Sequence, residues 1–276
     1  MRIMMGKVDL VMWTKNGGKF LRQVFEQIER VIPEENINQR IVVDDHSKDE
    51  TIRIAKDFNW QVYPNPAHGI ASGANEALRH VQTEYFVSLE QDVILAEEWW
   101  EKIPMHMANQ DVAVAQGIRL ATHPTLKILD EYEYSRKGAL FGASLDNNLI
   151  RTKIIRQLGG FPTKCSICVV YHLLDVIVRA NYRWIIDKTV VSQHLRTDLK
   201  SYYRHAYLQY ANCECHKSDL KVNMRLFLTS PLRSMHLAIA QKHPQLLYVY
   251  PRIRFNCLQG ALNARNRSIQ SIQSDR

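Results

Sequence analysis

Residues 41–51 read Ile41-Val42-Val43-Asp44-Asp45-His46-Ser47-Lys48-Asp49-Glu50-Thr51. Three branched apolar residues predict a buried strand. Ser47 with Glu50 three residues on has the form of a capping box, which predicts a helix straight after the strand. Asp44 and Asp45 then stand at the carboxyl end of a strand, where open α/β sheets bind ligands. A carboxylate there accepts hydrogen bonds from a base or a ribose. One of the two also suits a plain capping role beside Ser47.

Outward from this stretch the same alternation repeats. Upstream, Val8–Trp13 is a short apolar strand, Thr14-Lys15-Asn16-Gly17-Gly18 a turn, and Phe20, Leu21, Val24, Phe25, Ile28, Val31 and Ile32 recur at helical spacing until Pro33. Downstream, the spacing predicts a helix to Phe58, a strand over 61–63, a helix from Gly69 to Val81, and a strand over 85–89. Strands alternating with helices predict a mostly parallel sheet flanked by helices. Beyond it the reading is a helix over 96–108, a strand over 112–119, no clear period over 121–150, helices over 152–158 and 169–180, and a strand from Trp184 leading to His194. From Asp198 the pattern is helical, broken at Pro231, Pro244 and Pro251, with a frayed end over 263–276.

A second acidic pair, Glu90 and Asp92, ends the strand over 85–89. Carboxylates at i and i+2 of an extended segment point the same way. They make a hard-oxygen site for Mg²⁺ or Mn²⁺, completed by substrate phosphates. The plain alternative is an acidic entry to the next helix. Gly69-Ile70-Ala71-Ser72-Gly73-Ala74-Asn75 opens a helix with small residues, which lets a phosphate approach the backbone or lets the helix pack closely on the sheet.

The chain has 276 residues, 46% of them hydrophobic, enough for one large core or a domain with an appendage. No run of 18 apolar residues predicts a membrane span. Lys7 and Asp9 interrupt the apolar region a signal peptide needs, which predicts a cytoplasmic protein. The net charge of +8 is uneven: residues 194–276 hold 13 Lys/Arg against 4 Asp/Glu, whereas the first 193 hold 23 against 24. A basic tail region on a near-neutral body predicts an anionic surface as partner, or a solvated basic face. Five cysteines, an odd number, fit reduced thiols. Cys165-Ser166-Ile167-Cys168 and Cys213-Glu214-Cys215-His216 offer zinc ligands, but the second pair lacks the usual knuckle spacing and the signal is weak.

Taken together, Trp13-Thr14-Lys15-Asn16, Val43–Thr51, Gly69–Asn75 and Glu90-Gln91-Asp92 resemble, in order and spacing, the family-2 glycosyltransferases of the GT-A fold. That family shows a Pro-Thr-Tyr-Asn-like turn, Val-Asp-Asp-Gly-Ser-x-Asp-x-Thr, Gly-x-x-x-Ala-x-Asn and Asp-x-Asp. The resemblance covers about residues 8–195. It implies a GT-A domain over 1–195, with a nucleotide-sugar half (1–110) and an acceptor half (111–195), followed by a basic helical extension over 196–276. Thr14, Asn16, Asp44, Asp45, Gly69 and Asn75 would bind the nucleotide sugar. Asp92 with Glu90, and His194, would hold the Mg²⁺ or Mn²⁺ that bridges the diphosphate. Asp175 on the helix after Gly159-Gly160-Phe161, or His172 one turn earlier, would deprotonate the acceptor. Asp175 and Arg179 also suit a structural ion pair.

The sequence departs from the pattern at Trp13 (Pro in the family), His46 (Gly), Ala74 (often Arg) and Glu90 (Asp). The implied reaction is inverting transfer of a sugar from a UDP- or GDP-sugar to an acceptor hydroxyl or a polyprenyl-linked phosphate, with no nucleic acid as partner. Interleaved arginines, tyrosines and apolar runs in the tail region predict an extension that meets the inner face of an anionic membrane, packs as a cap, or joins two copies. The rival readings are a sugar-1-phosphate nucleotidyltransferase, for which Thr14–Gly18 lacks the Gly-rich basic loop, and a nucleotide-sugar or membrane binder without activity.

Overall fold

The computed structural model describes residues 6–135, 142–165, 167–213, 215 and 219–274, with side chains to 266. In chain order its elements are β1 (Val8–Thr14), α1 (Leu21–Val31), β2 (Ile37–Asp44), α2 (Thr51–Asp57), β3 (Gln61–Pro64), α3 (Ile70–His80), β4 (Tyr85–Leu89), β5 (Val93–Ile94), α4 (Trp99–Lys102), β6 (Val112–Ala121), α5 (Pro124–Ser135), β7 (Asn148–Arg151), α6 (Thr152–Gln157), α7 (Val169–Arg179) and β8 (Arg183–His194). Four helices follow: α8 (Leu199–Ala211), α9 (Leu220–Leu228), α10 (Ser230–Ala240) and α11 (Leu246–Ser274). The chain forms two compact units. The first comprises Met1–Thr122, Asp130–Thr163 and Val169–Leu195; the second comprises His123–Leu129, Lys164–Cys168 and Arg196–Arg276.

The first unit is an eight-stranded mixed sheet in the order β3-β2-β1-β4-β7-β6-β8-β5. Strands β3, β2, β1 and β4 run parallel, β7 runs against both β4 and β6, and β8 runs parallel to β6. Two reversals through β7 leave β6 and β8 pointing the same way as β1, so all these carboxyl ends share one edge. Period-two alternation divides the core between two faces. Val8, Leu10 and Met12 of β1 pack with Leu21, Val24, Phe25 and Ile28 of α1 on one face. Val11 and Trp13 pack with Ala71, Ala74, Ala77 and Leu78 of α3 on the other. Small residues on α3 let it lie close to the sheet, and a side chain at Gly73 would meet the Trp13 Cβ at 3.0 Å. Trp13 packs edge-on against Phe161.

The second unit has two small apolar clusters. One is Ala206, Val249, Ile253 and Cys257; the other is Leu237, Ala238, Leu246 and Tyr250. Gly260 allows α11 to cross α8 closely, because a Cβ there would lie 2.4 Å from the Tyr207 carbonyl oxygen. No helix among the described residues is long and apolar enough to cross a membrane.

Several sequence-based expectations are corrected. The capping box does not form: α2 starts at Thr51, Glu50 makes no side-chain cap, and the Ser47 hydroxyl accepts the Asn16 N–H instead. The helix expected over 96–108 is the single turn α4 followed by a 3-10 turn over Ile103–Ala108, because Pro104 lacks the N–H an α-helix would use. The aperiodic stretch 121–150 contains α5 and β7. Pro251 lies inside α11 without ending it. Val249, Ile253 and Cys257 bury one stripe of that helix, which offsets the missing hydrogen bond. Residues 263–274 continue the helix rather than fraying, and 275–276 lie outside the described residues.

Candidate active site

The parallel register aligns Thr14 with Asp44, and Asp44 with Pro64. The loops after β1, β2, β3 and β4 therefore leave the sheet side by side, and side chains tie them together. Asn16 receives Lys48 N–H on its Oδ1 at 2.9 Å while its own N–H meets Ser47 Oγ at 2.8 Å. Asp49 accepts the Gly18 N–H at 2.9 Å. Gln91 turns back to Thr14 Oγ1 and to the backbone of Lys15. With Gln91 turned back, its neighbours Glu90 and Asp92 share the other direction.

The two aspartates differ in role. Asp44 is buried and accepts the Ser47 N–H at 2.9 Å, which shapes the loop. Asp45 lies on the open side. It accepts His68 Nδ1 at 2.9 Å, Lys15 Nζ at 3.2 Å, His46 Nδ1 at 3.3 Å and the Gly69 N–H at 3.3 Å. Burial alone would raise this carboxyl; the hydrogen bonds from His68, Lys15, Gly69 and His46 outweigh it and lower the pKa to about 2. His46 explains the family glycine it replaces: its φ is +60°, in the left-handed region that glycine enters freely and histidine enters more often than most residues.

Asp45 predicts an acid-side signature. Its folded pKa lies below the ordinary 3.8, so its contribution is complete above about pH 4 and is lost as pH falls towards 2. Its partners Lys15, His46 and His68 are more than half exposed, so solvent screening leaves about 1 kcal/mol of this shift as stability. In urea titrations Asp45→Asn is expected to be less stable than the parent by about that much at pH 7, with the gap closing between pH 4 and pH 2. A gap independent of pH would refute this account.

The second cluster joins β4, β5, β6 and β8. Val93 pairs with His194, and Leu195 N–H meets the Asp92 carbonyl at 2.8 Å. One ligand atom each from Glu90, Asp92 and His194 lies within 4.8 Å of the others, and His194 Nε2 is 3.3 Å from Asp92 Oδ2. Arg119, near the end of β6, contacts His194 Nδ1 and lies 2.6 Å from Asp146 Oδ2 through its Nε. Asp146 is fully buried. Burial would lower the Arg119 pKa, but Asp146, Glu90, Tyr134 and Asp92 raise it well above the ordinary value. A guanidinium only donates, so a neutral His194 can receive it on Nδ1 while its Nε2 faces Asp92.

The remaining sequence candidates also lie in the first unit. Gly69 precedes α3 and gives its N–H to Asp45. The Asn75 amide clasps the backbone of Phe161, receiving its N–H and donating to its carbonyl, both at 2.8 Å. Gly160, at φ +85°, has no room for a Cβ beside Asn75 Oδ1. Asn75 thus positions the Gly159-Gly160-Phe161 turn. Asp175 is half exposed and pairs with Arg179 Nε at 3.0 Å, so the structural ion pair does form. His172 lies one turn earlier with its Nε2 buried. Sequence reasoning missed Lys15, His68, Gln91, Arg119 and Asp146. Arg119 carried a signal, a cation ending an otherwise apolar strand; Asp146, in an aperiodic stretch, carried none.

Residues 9–160, more than half the chain, match the family described as Glycosyl transferase family 2. The chain belongs to glycosyl transferase family 2. No curated protein gives a significant match. Among solved structures, this family-2 chain is similar to the mannosyltransferase PcManGT from Pyrobaculum calidifontis in complex with GDP-Man and Mn²⁺ (TM-score 0.61, 17% identity, 96% of this chain and 75% of that one). It is also similar to S. aureus TarS 1-349 (0.54, 14%, 97% and 92%). A third likeness is glucosyl-3-phosphoglycerate synthase from Mycobacterium tuberculosis in complex with Mn²⁺, UDP and glucosyl-3-phosphoglycerate (0.53, 14%, 75% and 78%). The fold is GT-A, and the protein is a glycosyltransferase of this family.

Proposed function

We propose that this family-2 transferase moves a hexose from a UDP- or GDP-sugar to a hydroxyl or lipid-phosphate acceptor, with inversion, using Mn²⁺ or Mg²⁺. The observation that carries the reading is the convergence of Glu90, Asp92 and His194 at one sheet edge, tied through Gln91 to the loop bearing Thr14 and Lys15. Asp45, ionised and held by four donors, is the acceptor for a ribose or base, with Thr14 and Asn16 shaping the loop beside it. The carboxylates of Glu90 and Asp92 suit a hard divalent ion. His194 would join them as a ligand through Nε2, with its imidazole proton on Nδ1 and Arg119 clear of that nitrogen. Bound at these residues, the ion would neutralise the departing diphosphate as a Lewis acid. Arg119 adds permanent positive charge at the same place. The mannosyltransferase and synthase above, with their nucleotides and Mn²⁺, support the donor class. For the base, His172 is favoured over Asp175, whose carboxylate is tied to Arg179. Asn75 is left as a positioning residue.

A thermal-shift panel of UDP- and GDP-sugars, each with Mn²⁺ or with chelator, tests the reading. The right donor at 100-fold over its Kd adds about 2.7 kcal/mol to stability, and only with the metal. Absence of stabilisation by every nucleotide would overturn it.

The acceptor side of the proposal includes an anionic membrane surface. Leu228, Leu232, Met235 and Ile239 recur at helical spacing at the end of α9 and along α10, each half or more exposed, and Arg225, Arg233 and Lys242 lie among them. Each cation adds about 1 kcal/mol near an anionic bilayer. The chain is expected to sediment with phosphatidylserine vesicles, less so at high salt, and Leu232→Glu with Ile239→Glu is expected to lose most of that binding. Equal binding to neutral and anionic vesicles would refute the electrostatic part.

A further inference from the structure

Cys165, Cys168, Cys213 and Cys215 converge within the second unit. The first three are buried and Cys215 is partly so. Their sulfurs approach at 3.5 Å (Cys168 to Cys213), 3.6 Å (Cys213 to Cys215) and 4.0 Å (Cys165 to Cys213), and all four lie within 4.8 Å of one another. None is in a disulfide. Zinc bound by four thiolates at about 2.3 Å places the sulfurs about 3.8 Å apart at the corners of a tetrahedron. The observed spacings bracket that edge. An iron–sulfur cluster distributes its cysteines over several irons and would hold them wider apart than a single ion does.

We propose that these four cysteines form a structural tetrathiolate zinc site. The site has a reason to exist where it is. Among the described residues the second unit's two apolar clusters each centre on four buried hydrophobic residues with partly buried ones packed round them, and small cores gain most from a metal staple. The segment Lys164–Cys168 belongs to that unit while its sequence neighbours on both sides belong to the first. Metal bonds from Cys165 and Cys168 to the ion shared with Cys213 and Cys215 hold this short excursion beside the end of α8. Four thiols give up their protons on binding, so uptake releases acid and affinity falls at low pH. With no open coordination position the ion takes no part in sugar transfer. His216 lies outside the described residues and has no part in the assignment.

The test uses the full chain purified under reducing conditions and dialysed against EDTA, which strips the exposed carboxylate site. Elemental analysis is expected to find about one zinc per chain, unchanged in Asp92→Ala and lost in Cys168→Ser and in Cys213→Ser. Cells grown in cobalt-supplemented, zinc-poor medium are expected to yield a protein with the thiolate-to-cobalt charge-transfer band and the intense visible bands of a tetrahedral Co²⁺ site. That readout needs no variant, so a cysteine substitution that fails to fold leaves the test intact. Metal-free protein whose four thiols react at once with a disulfide reagent would overturn the proposal. So would a mass showing disulfides among these cysteines, or stoichiometric iron in place of zinc. Because Asp92→Ala leaves this site whole, failure here is distinct from failure of the donor-site reading.

Discussion

Asp92→Ala is expected to abolish sugar transfer while leaving the fold intact. Asp92 is part-exposed at the sheet edge and its carboxylate faces His194. On the proposed reading it is one of the two carboxylates that would hold the donor's metal ion, and losing a Lewis acid at the diphosphate removes several kcal/mol of transition-state stabilisation. At about 4 kcal/mol the rate falls roughly a thousand-fold. The same variant is expected to lose the metal-dependent part of the thermal shift given by the donor nucleotide. Asp92→Glu is expected to keep part of both, because the family pair already tolerates a longer carboxylate at Glu90. Steady-state release of nucleoside diphosphate, with and without Mn²⁺, measures the effect. Full transfer and unchanged metal dependence in Asp92→Ala would sink the assignment of the ion to this edge.

Arg119→Met is expected to be strongly destabilising. Asp146 is fully buried, and its ion partner is Arg119 at 2.6 Å, with a fifth of the arginine side chain exposed. Removing one member of such a pair leaves a charge without compensation and costs about 3–5 kcal/mol. For a chain of this size that lowers Tm by about 6–15 °C, taking about 2–3 °C per kcal/mol. The double variant Arg119→Met with Asp146→Leu is expected to recover much of the loss, since an apolar pair of similar volume needs no counter-charge. It is expected not to recover transfer, because Arg119 also supplies charge beside Glu90 and Asp92. A Tm for Arg119→Met within 1 °C of the parent would show that the pair is not the keystone described.

These two residues mark the limit of what a linear reading reaches. Glu90 and Asp92 follow a short, largely apolar strand, so their place at the sheet edge followed from local pattern. Arg119 and Asp146 are 27 positions apart and meet only because β6 and β7 are adjacent and antiparallel. The short β5 and the pairing of Val93 with His194 have the same cause, a register set by distant partners. Local signals misled where a tertiary contact outbid them. Ser47 left the capping box for the Asn16 N–H, and Pro251 was carried through by the buried stripe of its helix.

What the sequence by itself determined is the alternation of strands and helices, the acidic ends of two strands, and with them the family and the GT-A fold, because each depends on residues close in the chain. What only the tertiary structure decided is which aspartate faces outward, why His46 can stand for glycine, how Arg119 and Asp146 balance the acidic edge, and that two cysteine pairs 45 residues apart bring their four sulfurs within 4.8 Å of one another. Each of those depends on the distance between side chains brought together by folding, a quantity that spacing along the chain does not contain.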